Sequence, residues 1–108
     1  MIYIKSEAYL TEKGQCAVNE DNILFEKGAL YLICDGVGGN GNGQVASKLV
    51  AETAIVYYKN NPNFDLSNLE VTLENTIINY KKKNPSMKLI ASTIALTQIK
   101  NNAIQIAW

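Results

Sequence analysis

The alternation of apolar and polar positions changes period several times along the chain, and each change marks an element. Met1 to Leu10 alternates, with Ile2 and Ile4 opposite Tyr3 and Lys5, which predicts a half-buried strand. Asn22–Glu26 and Ala29–Cys34 are two short apolar runs separated by Lys27-Gly28, a pair suited to a tight antiparallel hairpin. From Asn42, a candidate cap, the period lengthens to that of a helix reaching about Lys59. Ala46, Leu49, Ala54 and Tyr57 share one side of it, and Lys48 and Glu52 form an i, i+4 pair on the other. Pro62 and the Asn-rich residues around it end that helix. Ser67-x-x-Glu70 then fits a capping box for a second, along which Leu66, Leu69, Leu73, Ile77 and Tyr80 recur at helical spacing. Lys81, Lys82 and Lys83 close it, where cations complement the helix dipole, and read as a solvated helix end. Leu89–Ile99 and Ala103–Trp108 predict a second hairpin turned by Asn101-Asn102. The order is strands, then helices, then strands, which is an α+β chain.

The stretch Leu30 to Gly43, LYLICDGVGGNGNG, stands apart from these periodic segments. An apolar run delivers one carboxylate, Asp35, to the end of a strand, and glycines then occupy positions 36, 38, 39, 41 and 43. Glycine lets backbone approach a ligand more closely than any other residue does. Three readings fit the loop. A tight strand-to-helix connection needs fewer glycines than are present. Gly36-x-Gly38-x-x-Gly41 matches a dinucleotide fingerprint between a strand and a helix. Its context argues against that, because Asp35 would set negative charge beside a pyrophosphate and no acid-terminated strand follows at the expected distance. The third reading joins Asp35 to the acidic cluster Asn19-Glu20-Asp21. In an antiparallel hairpin the start of one strand lies beside the end of its partner, so both clusters fall at one end of the sheet. Oxygen ligands without His or Cys suit a hard cation such as Mg²⁺ or Mn²⁺, and the Gly36 carbonyl could add a further oxygen.

Composition narrows the chemistry. The 108 residues allow one domain with a modest core, and an apolar share of 47% suits a globular protein. Ten basic residues balance ten acidic ones, so charge gives no case for nucleic acid or a membrane surface as partner. No apolar stretch is long enough to span a bilayer, and the amino terminus lacks a signal pattern, which leads us to expect a cytoplasmic protein. Cys16 and Cys34 lack a metal-ligand spacing and read as two buried thiols of a reducing compartment. The chain contains no His and no Arg. Ser–His and Cys–His nucleophiles, His-based zinc sites and a guanidinium clamp on phosphate are therefore absent from these residues. Chemistry here runs on carboxylates, backbone groups, Lys or a bound ion.

Val18-Asn19-Glu20-Asp21, then Asp35-Gly36-Val37-Gly38-Gly39 with Gly43-Gln44-Val45-Ala46-Ser47, then Ser92-Thr93, together resemble the metal-dependent protein serine/threonine phosphatases of the 2C type, the bacterial members most of all. The resemblance runs from about Gly14 to Trp108. It implies an αββα sandwich, two antiparallel sheets flanked by helices, present here only as its amino-terminal half, so that residues 1–108 form an incomplete domain. It implies further that Asp35 bridges two metal ions, that the Gly36 carbonyl ligates one of them, and that Asp21 and Glu20 sit at the cluster, Glu20 through water. The implied reaction is hydrolysis of phosphoserine or phosphothreonine in a phosphoprotein substrate by a metal-bridging water, with Mg²⁺ or Mn²⁺ as cofactor and no catalytic residue beyond the metal ligands. Ser92-Thr93 match a family strand motif and read as packing residues.

Three departures accompany the likeness. The family commonly carries a phosphate-binding Arg five positions before the aspartate of Asn-Glu-Asp, where this chain has Cys16, so the residue that would bind substrate phosphate is not assigned. Val37 follows Asp-Gly where many members have His. Family sequences continue past the equivalent of Trp108 into a Gly-Asp-Ser-Arg segment and a second half that carries the remaining metal aspartates. We therefore expect part of a longer enzyme, inactive alone, with an apolar sheet face and an open edge at Ala103–Trp108 that invite self-association. The alternative is a non-catalytic regulatory module, a pseudophosphatase that has lost phosphate recognition.

Overall fold

A computed structural model describes residues 4–14, 18–87 and 89–108, without the side chain of Asn40. Strand β1 (Asp21–Glu26) and strand β2 (Leu30–Val37) form the first hairpin. A single 3₁₀ turn, Gly39–Gly41, leads into helix α1 (Asn42–Asn60), and helix α2 (Leu66–Lys83) follows. Strands β3 (Ala91–Ser92), β4 (Ala95–Lys100) and β5 (Ala103–Ala107) complete the chain. All pairings are antiparallel, in the order β1-β2-β4-β5, and β3 pairs with the far end of β2.

Strand β2 is the spine. Leu30, Leu32, Cys34 and Gly36 face the helices and are buried, while Ile33, Asp35 and Val37 on the alternate face are exposed. Helix α1 lies along the buried face through Gly43, Ala46, Ser47, Val50, Ala51 and Ala54, a stripe at i, i+3, i+4 and i+7. The small residues in that stripe bring the helix close to the strand. Leu69 and Leu73 of α2, with Phe64 and Leu96, finish the core. Buried Gln98 donates from Nε2 to the Pro62 carbonyl at 2.9 Å, which pins the connection between the helices to β4.

The structure corrects several boundaries. Residues 4–10 form no strand: Ile4, Tyr9 and Leu10 are exposed, and the segment is held by side chains instead. The Tyr31 phenol meets Glu7, and the Tyr9 ring lies 5.6 Å from that of Phe25. After Ile4 the apolar alternation lapses over Lys5–Glu7, leaving little face to bury; Met1–Tyr3 lie outside the described residues. The first hairpin turns through Lys27, Gly28 and Ala29. The Ala29 N–H donates to the Glu26 carbonyl at 2.9 Å, and Gly28 takes φ +76, which glycine alone adopts without strain. Helix α1 is capped by Gly41 rather than Asn42, with no side-chain bond, because the 3₁₀ turn already occupies the approach. Helix α2 is capped by Asp65 and not by Ser67: the Asp65 carboxylate accepts from the Ser67 N–H at 2.8 Å, so Ser67 lies inside the first turn. The second hairpin turns at Asn101-Asn102, with φ 48 and 61, the left-handed pair a two-residue turn requires. Its first strand breaks in two at Thr93-Ile94.

Candidate metal centre

The hairpin register puts Asp21 directly across from Asp35. Both side chains lie on the face of the sheet away from the helices, at the end where the glycine loop departs. Asn19 fixes the entry to β1: its Oδ1 accepts from the Asp21 N–H at 3.0 Å, and its Nδ2 donates to Thr11 Oγ1 at 2.8 Å. The two carboxyls are within hydrogen-bonding reach. Partial desolvation first, then the charge of Asp35 and a bond to its carboxyl, raise Asp21 above its ordinary value of 3.8. The Asp21 carboxylate is held at a cost that a cation beside the pair would relieve.

Gly36 is the next element of the site. Its N–H donates to the Glu20 carbonyl at 3.0 Å, which ties the loop exit to the start of β1. It lies so close to helix α1 that a Cβ there would come within 2.5 Å of the Gly43 carbonyl carbon. The same crowding operates from the other side. A Cβ on Gly43 would lie 2.7 Å from the Gly36 carbonyl oxygen and 2.7 Å from the carboxyl carbon of Glu20. Here the glycines serve backbone approach, and the Glu20 carboxyl packs at the amino-terminal turn of α1, where the helix dipole favours negative charge.

Asp21 and Asp35 are thus brought together, with Gly36 beside them, while the half-buried Glu20 sends its carboxyl toward Gly43. Among the described residues, no three His, Cys, Asp or Glu side chains converge as a group able to hold a metal. Cys16, at the position where phosphate-binding Arg was expected, lies outside the described residues. Cys34 is a free, buried thiol on the helix side, directly behind Asp35. Burial pushes it up to about 12, against a smaller opposing effect of the Ser92 hydroxyl, so it is inert as a nucleophile.

Thr93 is the residue whose place in the site the sequence reading missed. In a hydrogen-bonded antiparallel pair, two facing residues exchange both N–H···O=C bonds. The Thr93 N–H does donate to the Asp35 carbonyl, at 2.9 Å. The return bond is different: the Asp35 N–H donates to Thr93 Oγ1 at 3.2 Å. The Thr93 carbonyl is taken instead by the Ser92 hydroxyl at 2.8 Å. Strands β3 and β4 keep one register across this point, since Gly36 faces Ser92 and Ile33 faces Ala95. The break between them is therefore local to Asp35.

Comparison with solved structures places this geometry. The serine/threonine phosphatase PstP/Ppp of Mycobacterium tuberculosis superposes with a TM-score of 0.69 at 24% identity, covering 97% of this chain and 45% of that one. A structure of the PstP catalytic domain in complex with two manganese ions gives the same score and identity, with 46% of its chain covered. The PPM Ser-Thr phosphatase MsPP of Mycobacterium smegmatis, in complex with cacodylate, gives 0.61 at 20% identity over 80% of this chain and 35% of that one. The fold is part of the PPM phosphatase fold. The chain spans less than half the length of the structures it matches. It supplies one sheet with two helices on one face, half of the layers of an αββα sandwich. No protein-family model and no curated protein matches the sequence.

Proposed function

We propose that this chain is the amino-terminal part of a metal-dependent phosphatase acting on phosphoserine or phosphothreonine in proteins. The observation that carries the reading is the Asp21–Asp35 pair, set by strand register at the mouth of the glycine loop in a PPM-type fold. The donor set fits Mg²⁺ or Mn²⁺: hard oxygen ligands, two of them repelling carboxylates, with the Gly36 carbonyl next along the strand from Asp35. Asp35, Asp21 and Gly36 would hold the cations, with Glu20 behind them at α1, and further carboxylates from outside residues 1–108 would complete the site. When bound, such cations activate water and neutralise charge on a transferring phosphoryl group. The manganese ions bound by PstP support that choice of metal class.

Within this scheme the chain's own residues bind and orient. Asp21 and Asp35 supply negative charge at one edge of the open face, and the Glu20–Gly36 backbone bond fixes the distance between hairpin and loop. No helix among the described residues is long and apolar enough to cross a membrane; we place the protein in a bacterial cytoplasm, where its free Cys34 would stay reduced. The test is a Mn²⁺ titration of the 108-residue chain followed by a phosphopeptide assay. We expect weak binding that Asp35→Asn lowers by about tenfold or more, and no turnover. Ordinary phosphatase rates from the chain alone would refute the fragment reading, and unchanged Mn²⁺ binding in Asp35→Asn would refute the metal site.

A further inference from the structure

We infer that Thr93 is the positioning residue of Asp35. It sets the backbone of that aspartate through its own hydroxyl, in place of a ladder bond of the sheet. The inference rests on reading Asp35 as a metal ligand and adds a residue to that site.

The hydrogen bonds around position 35 are asymmetric in a way that packing does not require. An uninterrupted strand from Ala91 to Lys100 would hold Asp35 as it holds its neighbours, through two main-chain bonds. The unchanged register on either side of the break means that no residue is inserted or lost there, so Thr93 still stands opposite Asp35. Instead Ser92 Oγ captures the Thr93 carbonyl, and the Thr93 side chain presents Oγ1 to the Asp35 N–H at 3.2 Å, with the Asp35 carbonyl 3.4 Å away. Asp35 is thus gripped on one edge by Thr93. Gly36 is gripped on the opposite edge by Glu20, whose carbonyl accepts its N–H at 3.0 Å. The two grips fix the peptide between Asp35 and Gly36 from both sides, and that peptide carries the direction of the Asp35 side chain. A side-chain hydroxyl reaches where a carbonyl in the ladder would not, so the strand can leave the regular pleat as it enters the glycine loop. Valine has the shape of threonine but offers the Asp35 N–H no side-chain acceptor; serine keeps that acceptor and loses only the methyl group.

Two measurements on the 108-residue chain separate this inference from the reading it rests on. Amide exchange followed by NMR without metal reads the grip itself. Thr93→Val should speed exchange at the Asp35 amide about fivefold, the scale of one hydrogen bond, while the amides of β1 and α1 keep their rates. Thr93→Ser should restore the wild-type rate. Mn²⁺ titration reads the consequence, with Thr93→Val weakening binding about fivefold and Thr93→Ser staying within about twofold of wild type. If Asp35→Asn leaves Mn²⁺ binding unchanged, the metal reading fails while the exchange result stands. If Asp35→Asn removes binding and Thr93→Val does not weaken it, the positioning role of Thr93 is overturned. Should Thr93→Val not fold, the decision passes to wild type and Thr93→Ser: an unprotected Asp35 amide in wild type, or loss of Mn²⁺ binding in a folded Thr93→Ser, overturns it as well.

Discussion

The two faces of the sheet are made from the same strands and share little else. On the helix side, Leu30, Leu32 and Cys34 are closed over by the small-residue stripe of α1 and by Leu69, Leu73 and Phe64. On the other side, Ile23 and Phe25 of β1, Ile33 and Val37 of β2, and Ile104 and Ile106 of β5 form an apolar layer that, among the described residues, no element covers for most of its extent. The amino-terminal segment touches it, where Tyr9 meets Phe25, and Phe25 stacks on Tyr31. The helix face is a core where α1 covers β1 and β2, with an apolar cleft of about 780 Å³ left between α2 and the strands β3–β5. The open face has the composition of a core and the exposure of a surface, with Asp21 and Asp35 at one end. Apolar area of that extent on one sheet is what an interface looks like before it is covered. The contrast separates two roles: the helix-covered face supplies stability, and the open face carries the carboxylates on which the proposed site rests.

Substitutions that strike each face in turn should pull the two apart. Leu32→Ala removes a side chain only 2% exposed and should cost about 3 kcal/mol in urea unfolding, enough to unfold much of a domain this small. Ile33→Ala, one residue away but 53% exposed, should cost less than about 1 kcal/mol. Equal losses would mean that the open face is covered in solution. Next in size comes the junction between the faces. Gly36→Ala drives a Cβ into the Gly43 carbonyl group, backbone against backbone, so a rotamer change cannot relieve it. We expect a loss of about 2–3 kcal/mol, read as a lower urea midpoint at unchanged slope. Gly39→Ala, where a Cβ meets open space, serves as the control and should be nearly neutral.

How much of this was legible in the sequence follows the same division. Periods of two and of 3.6 residues read out the elements that bury one face, so the first hairpin, both helices and the Asn101-Asn102 turn were visible. So was the coincidence of Asp21 and Asp35, because antiparallel pairing leaves few alternatives. Capping was misread twice, at Asn42 and Ser67, since several polar residues near a helix start compete and only the local backbone path selects one. The opening alternation fails over residues 4–10, where Ile4 is followed by Lys5–Glu7 and little face is left to bury. In the sequence Thr93 reads as a packing residue. Its role depends on which of two acceptors the Asp35 N–H finds, a choice between side chain and main chain at the same residue that no periodicity records. The apolar side of β2 and β5 is the feature for which the sequence periodicity gives no partner.

The open edge tests that feature at lower energy. Strand β5 ends the sheet with AIQIA, a segment carrying no charge, proline or bulge to discourage pairing. We expect concentration-dependent self-association in sedimentation velocity, reduced by Ile106→Lys, whose ammonium would stand on the open face beside Thr97. A monomer at all concentrations would show that the face is tolerated bare.

The finest test concerns the charged end of that face. Burial raises the Asp21 carboxyl above 3.8, and the charge of Asp35 adds to the shift. A carboxyl raised on folding binds its proton more tightly in the native state. Its contribution is therefore present below the unfolded value and is lost as pH rises through the folded one, so it opposes stability at neutral pH. Asp35→Asn removes the opposing charge and should move the Asp21 titration, followed by carboxyl-carbon NMR, part of the way back toward 3.8. Burial, the larger cause, should keep it from returning fully. Adding Mn²⁺ to wild type should push the same titration below its metal-free position, because a cation favours the charged form. An Asp21 titration indifferent to both changes would mean that register places the two carboxyls side by side without coupling them.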